Sequence, residues 1–562
     1  MKEEVRLTSV KIKEGLRKDF KKTCLETDIN LQKLVNRSIY LYVNDENFRK
    51  KVNKVNVLGR NLQEIEVIFM ELKESLSGTS LKVPTKKKIL LLSDDLRMHS
   101  GVGTVSRNIV KGTCAKYDWV QLGGAVKHPD KGKVIDISQD LKKETGVATA
   151  SCKVYPTDGY GNPEILREIL SIEKPDMIIH FTDPRFWGWL YAMEHELRQT
   201  MPLGYLNIWD DLPFPHWNEP FYNCCDLLMA ISKQTYNINK HVCQLHPRTE
   251  GKDLFYVPHG INPNEYYPID ENHSEWNDMQ NFKVDLLGDH VDAEMIFTFN
   301  SRNIRRKMVS DAMLAYRIFC DSLPKEEAEK CLFMLHTDPV DANGTDLPAV
   351  ARALCKDYKV GFSASKINSR QLNYFYNLSD CGINTSSAEG FGLSCMETIM
   401  SGTPVIVNTT GGLQDQCGFM KDGKLIKETD YNAEWPSNSD GRYKECGEWA
   451  FPTFPQINLQ GSPQTPYIYD SRADVMDIAK QMMNVYKLGN EERVRRGLVG
   501  REWAMNNGFT SKSMCDDFEK AVDTCFETWT PRKKFILVNT DRPTIDYPEG
   551  IIFNTIELGE IA

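Results

Sequence analysis

Two hydrophobic periods alternate along most of this chain. Short, nearly unbroken apolar stretches at 89–92, 119–122, 177–181, 203–209, 227–232, 295–300, 332–337, 360–362, 381–385 and 405–407 have the length and content of strands buried on both faces. Between and after them, stripes spaced three and four residues apart mark helices at 163–173, 372–378, 475–488, 491–506 and 511–529. Strand and helix in alternation predict parallel sheets covered by helices, an α/β architecture. Other stretches depart from that rhythm. Residues 5–12 alternate with period two, with Thr8, Val10 and Ile12 on one face and Leu7, Ser9 and Lys11 on the other. Two helical stripes follow, the second opened by Asn30 as N-cap. Residues 45–75 read as helical, and 77–88, rich in Ser, Gly, Thr and Lys, as the clearest linker. Between 418 and 470 the pattern dissolves into Gly, Asn, Ser, Pro and aromatics, which predicts an insertion.

Candidate chemistry collects where strands hand over to helices. Strand 381–385 leads into Ser386-Ser387-Ala388-Glu389-Gly390-Phe391-Gly392-Leu393; a helix follows, and Gly402-Thr403-Pro404 closes it. Backbone N–H groups at Gly392 and Leu393 would point out of the start of that helix, where phosphate binds readily. Glu389 in the loop and Glu397 two turns into the helix bring acids to the same place, which makes sense if they hold the hydroxyls of a sugar or a ribose. After strand 295–300 comes Ser301-Arg302-Asn303-Ile304-Arg305-Arg306-Lys307. Cations placed just past a strand end can meet negative charge on a ligand, with a bare surface basic run as the competing reading, and Arg305 and Arg306 read as exterior. Strand 89–92 runs through a loop into Gly101-Val102-Gly103, the strand, glycine loop and helix that open a Rossmann-like half. Ligands of doubly wound sheets gather at the carboxyl ends of strands. His180, Asp183, Asp210, Asp211 and His216 lie at or just past such ends and are the acceptor-side candidates, with capping or loop bracing as the competing role for each. Asp210 or Asp211 has the chemistry to take a proton from an acceptor hydroxyl. The neighbouring aromatics Phe186, Trp187, Trp189, Trp209, Phe214 and Trp217 read mostly as core, with a platform for a base or sugar ring as the other reading.

Glu389 and Glu397 in their strand–loop–helix setting, Arg302 with Lys307, the glycine loop and Val257-Pro258-His259-Gly260-Ile261-Asn262 together resemble one family. It is that of the retaining, nucleotide-sugar-dependent glycosyltransferases of the GT-B fold, family 4 above all, whose signature is two glutamates separated by seven residues. The resemblance covers residues 89 to about 530 and implies two Rossmann-like domains facing a cleft. The domains expected are 88–262 for the acceptor, 263–510 for the nucleotide sugar with an insertion at about 418–470, and a helix and tail at 511–562. The resemblance further implies a UDP-sugar donor held by Gly101, Gly103, Arg302, Lys307, Glu389, Gly390, Phe391, Gly392, Leu393 and Glu397. Glu389 would touch the sugar and Glu397 the ribose. The catalytic set would be Arg302, Lys307, Glu389, Asp210 and Asp211, with no bound cofactor and no metal.

Residues 1–48 resemble the ribbon-helix-helix DNA-binding family, joined to the body by a helical linker at 49–87. That resemblance implies a homodimer with Ser9 and Lys11 toward DNA and the Asn30 end on its backbone. The loop from Ser93 to Gly103 also resembles glycosyltransferases of T-even-like phages, which implies transfer of glucose or arabinose to 5-hydroxymethylcytosine in DNA, the base flipped out to reach the donor. Two alternatives remain: a polysaccharide, lipid or protein acceptor with a merely dimerising N-terminal module, and a DNA-binding regulator that senses a nucleotide sugar without turning it over. Composition adds limits. A net charge of −9 over 562 residues leaves any DNA surface local. Fifteen cysteines without CxxC pairs suit a reducing cytoplasm. Neither a signal peptide nor a run of eighteen apolar residues is legible, so no membrane span is expected.

Overall fold

The computed structural model describes residues 86–125, 128–244 and 253–532. Ser9, Lys11 and Asn30, the stretch after them that was expected to be helical, and the tail from 533 lie outside the described residues.

The unbroken apolar runs become central strands. The first sheet holds β1 Lys87–Asp94, β2 Tyr117–Ala125, β3 Ile135–Asp136, β4 Cys152–Asp158, β5 Met177–Phe181, β6 Leu203–Asn207, β7 Leu227–Ala230 and β8 Asp253–Tyr256, in the order β3-β4-β2-β1-β5-β6-β7-β8. Its ladders are parallel apart from β3 with β4. Every residue of β5 and β6 is buried, which is why they read as continuous apolar runs rather than as alternation. The second sheet holds β9 Met295–Asn300, β10 Cys331–His336, β11 Lys359–Ser363, β12 Cys381–Asn384 and β13 Val405–Asn408. After the small hairpin β14 Met420–Lys421 and β15 Lys424–Leu425, β16 Ala450–Thr453 completes it, in the parallel order β11-β10-β9-β12-β13-β16. Strand order reverses between β1 and β5 in the first sheet and between β9 and β12 in the second, and crevices open at such switch points.

The helices that matter for the cleft are α1 Gly101–Thr113, α2 Lys233–Gln244, α3 Val309–Asp321, α4 Ser369–Asn377, α5 Leu393–Met400, α6 Val475–Lys487, α7 Asn490–Asn506 and α8 Ser511–Thr528. α8 packs back on the first lobe: Phe518 stands 6.0 Å from the Trp119 ring and the Tyr117 hydroxyl donates to Asp523 at 2.7 Å. Where the chain crosses between lobes, Ile261 N donates to Phe509 O and Ser511 N to Ile261 O, both at 2.9 Å. Gly260 sits in that crossing with Thr510 O only 2.2 Å from where a Cβ would stand, so no other residue fits.

Residues 418–470 are more than an insertion. They supply the edge strand β16, which pairs with β13, and bury Trp435, Trp449 and Phe451. Its sequence, Ala-Phe-Pro-Thr, hides the strand because a proline is tolerated only at a sheet edge. The hairpin β17 Gln456–Ser462 and β18 Thr465–Arg472 then reaches the other lobe, where Tyr467 lies 4.5 Å from the Trp217 ring and Tyr469 N donates to Leu212 O at 2.6 Å.

Candidate active site

β12 ends at Asn384, and polar side chains govern the turn that follows. Asn384 Oδ1 accepts from Ser386 N at 3.1 Å, and Ser386 Oγ lies 2.7 Å from Asn384 Oδ1 and 3.1 Å from Glu389 Oε2. Lys307, on the turn after β9, pairs with the same Glu389 oxygen, their side chains only 10% and 11% exposed. Arg306 Nη1 stands 3.6 Å from that oxygen and donates to Ala388 O at 2.6 Å. Backbone contacts lace the two segments: Ser387 N donates to Arg306 O at 2.7 Å, and Thr385 Oγ1 to Lys307 O at 3.1 Å. Burial alone would raise the Glu389 carboxyl, but Lys307 and Arg306 outweigh it and hold it below the usual range. Burial pushes the Lys307 ammonium down against the opposing pull of Glu389.

Glycine lets backbone come close around this acid. Gly411, at φ +48°, would carry a Cβ 2.0 Å from Glu389 O, and its neighbour Gly412 N donates to that oxygen at 2.9 Å. Gly392, at φ +89°, opens α5 without a side chain to cap it, so the first N–H groups of the helix are left for an anion. Phe391 is buried against His259, ring centroids 5.1 Å apart. Burial pushes the His259 imidazole down to about 3. On the inner side of α5, Glu397 accepts from the Tyr376 hydroxyl at 2.6 Å.

The first lobe closes directly on this loop. A Cβ on Gly390 would lie 3.0 Å from Ile231 Cδ1 and 3.1 Å from Ile208 O. Asp415 of the second lobe accepts from Lys233 N at the start of α2 at 2.8 Å and from the Tyr256 hydroxyl at 3.1 Å, tying the lobes together. Beside Ile208, Asp210 has its carboxyl pushed up to about 6 by burial and by Glu389, with Arg306 opposing. Asp211 is raised well above the usual range by burial and then by Asp210, again with Arg306 opposing. One guanidinium therefore bears on three carboxylates from two lobes. Arg306, expected on the exterior, does keep 45% of its side chain exposed, yet its guanidinium also stands 3.6 Å from Glu389 Oε2. Arg302 instead lies 61% exposed with Nε donating to Asp341 Oδ2 at 2.9 Å.

At the start of α1, Ser100 Oγ accepts from Gly103 N at 3.0 Å and donates to Asp94 Oδ2 at 2.9 Å. Gly101 follows, with Leu393 Cδ1 of α5 3.7 Å from its would-be Cβ, so the glycine loop borders the same helix tip. The remaining acceptor-side candidates have other immediate partners, although Asp183 and its partner Arg185 lie close enough to Tyr160 and Asp211 to bear on them. His180 is fully buried, with Nδ1 2.8 Å from the Tyr191 hydroxyl and Nε2 2.9 Å from Thr182 Oγ1. It stacks on Tyr205, and burial holds its imidazole down at about 3, so it braces the core as a neutral ring. Asp183 caps the turn Pro184–Trp187 and pairs with Arg185. His216 is exposed on the turn His216–Asn218. Arg306, Tyr376 and Asp415 escaped sequence reasoning because only the folded chain brings them to Glu389, Glu397 and the lobe boundary, whereas Ser386, three residues before Glu389, was within reach of it. Among the described residues no cluster of three His, Cys, Asp or Glu is arranged to hold a metal, and no helix is long and apolar enough to cross a membrane.

Solved structures carry this two-lobed scaffold. Sucrose-phosphate synthase from Thermosynechococcus elongatus superposes with a TM-score of 0.54 over 79% of this chain and 100% of its own, at 15% identity. Anabaena HepE, solved with UDP and glucose, does so with a TM-score of 0.53 over 78% and 100%, at 13% identity. The fold is GT-B. Identities this low carry the fold and nothing finer. Within the GT-B scaffold, residues 359–434 match the family model described as glycosyl transferases group 1, a span that takes in β11, β12, Glu389 and α5. In sequence the chain is similar to an uncharacterized glycosyltransferase of Methanocaldococcus jannaschii, 27% identical over 280 residues, 48% of this chain and 62% of that protein. It is also similar to trehalose synthase of Thermococcus litoralis, 29% identical over 171 residues, 30% of this chain and 41% of that one. The matches thus span less than two thirds of these relatives.

Proposed function

We propose that this protein is a retaining glycosyltransferase that moves a sugar from a UDP-sugar to a hydroxyl acceptor. The observation that carries the proposal is the buried Lys307–Glu389 pair, with Ser386 and Arg306 beside it, set at the uncapped tip of α5 and facing Asp210 and Asp211 of the other lobe. The diphosphate lies against the N–H groups of Gly392 and Leu393, with Lys307 beside it and Arg302 reaching it by leaving Asp341. Glu389 holds sugar hydroxyls. The bond from the anomeric carbon to the phosphate oxygen breaks, the acceptor oxygen bonds to that carbon from the same face, and its proton passes to the departing phosphate or to Asp210. Preorganised cations stabilise the charge that builds on the leaving group. No metal is needed for that task.

For the acceptor we favour 5-hydroxymethylcytosine in duplex DNA, in a host cytoplasm, with dimerisation through the N-terminal module. The support is the likeness of residues 1–48 to ribbon-helix-helix proteins and of the 93–103 loop to phage enzymes. A second reading, a carbohydrate acceptor, is favoured by the acids that rim the cleft, Asp94, Asp210 and Asp211, which suit hydroxyls better than phosphates. Incubation with labelled UDP-glucose or UDP-arabinose and either hydroxymethylated or plain DNA decides between them. Label on modified DNA alone supports the first; donor turnover without labelled DNA, stimulated by added saccharide, supports the second. No donor turnover with any acceptor refutes the enzyme reading.

A further inference from the structure

Resting on the reading of Glu397 as the acid nearest the ribose, we infer that Tyr376, together with Asn300 and Tyr266, is the positioning device that aims this carboxylate at the ribose hydroxyls. Asn300 closes β9 at the switch point, and its Nδ2 donates to the Tyr376 hydroxyl at 2.6 Å. The phenol oxygen is thereby an acceptor on one side, which commits its single proton to Glu397 Oε2, also 2.6 Å away. Tyr266, in the segment that crosses between lobes, sets a second phenol ring beside them, its centroid 6.1 Å from that of Tyr376 and close enough to Glu397 for each to bear on the other's titration. Both supports are themselves fixed. Tyr376 is buried on α4, and Arg501 Nη1 donates to Tyr266 O at 2.7 Å and to Met400 O at the end of α5.

A core has little use for this arrangement. A buried carboxylate contributes no reliable stability, and apolar side chains of the same volume pack as well. The Tyr376 phenol occupies one of the four lone-pair positions of the carboxylate and leaves others for hydroxyl donors. The relay Asn300–Tyr376–Glu397 also links the acid to the strand end beside the cleft, and Tyr266 links it to the interlobe crossing.

The test is calorimetric binding of UDP and of 2′,3′-dideoxy-UDP, which lacks both ribose hydroxyls, to the wild-type chain and to Tyr376→Phe. The variant keeps the ring and removes only the hydroxyl. We expect about a ten-fold loss of affinity for UDP, the size of one hydrogen bond to a charged group, and less than about a two-fold loss for the dideoxy compound. Tyr266→Phe follows the same pattern more weakly and stands in if the first variant does not fold. Equal losses for both nucleotides, or none for UDP, overturn the inference. A wild-type chain that binds neither nucleotide refutes the reading beneath it instead.

Discussion

Replacing Lys307 with Met separates the two roles of the buried ion pair. Glu389 would keep Ser386 Oγ at 3.1 Å and Arg306 at 3.6 Å, but it would lose its nearest cation in a setting where both side chains are about nine-tenths buried. Breaking a buried pair from one side typically costs about 3–5 kcal/mol because a charge is left without its partner. Arg306 recovers part of that here, so the expected loss is about 2–3 kcal/mol. For a lobe of this size that lowers Tm by roughly 5–10 °C, readable by differential scanning calorimetry. The double variant Lys307→Met with Glu389→Gln removes the stranded charge and should recover most of the stability. Turnover of the UDP-sugar should stay about a hundred-fold or more below wild type in both variants, since the cation for the leaving group and the acid for the sugar are missing. A Lys307→Met protein that melts with the wild type, or a double variant that regains turnover, would refute the reasoning.

The acid limb of kcat/KM should lie near pH 6, where Asp210 gains its proton and ceases to be a base, so activity falls as pH drops through that value. Arg306→Gln removes the charge that lowers this carboxyl, and the limb should move to higher pH; an unmoved limb would show that Asp210 is not the titrating base. Gly411→Ala forces a Cβ against the Glu389 carbonyl 2.0 Å away, at a positive φ, and should abolish turnover while lowering Tm by several degrees. His180→Leu removes two buried hydrogen bonds and should cost about 2 kcal/mol in unfolding measurements, yet leave KM for donor and acceptor near wild type. A changed acceptor KM would return His180 to the site.

Much of this molecule was legible along the chain. Unbroken apolar runs in β5, β6 and β9 mark themselves because a strand buried on both faces has no polar side to interrupt it. Gly392 and the Gly402-Thr403-Pro404 stop announce the limits of α5 for equally local reasons, a positive φ and a missing N–H. The spacing of Glu389 and Glu397 follows from that loop and helix alone, one in the loop before α5 and the other inside it. β16 was not legible, because an edge strand with a proline carries no apolar run. The surroundings of His180 and Arg306 were not legible either. Position at a strand end says where a residue lies in sequence, whereas burial against Tyr191 and Thr182, or an opening toward Glu389 and two aspartates, depends on segments far away. The sequence by itself determined two doubly wound halves, a glycine-lined acid loop and the charges available to it. Only the tertiary structure decided which cation faces that acid, that the Tyr376 phenol holds Glu397, and that Asp210 and Asp211 lie within reach of Glu389 and Arg306. Side-chain charge is a property of the residue; its pairing is set by whatever the other lobe places within a few ångströms.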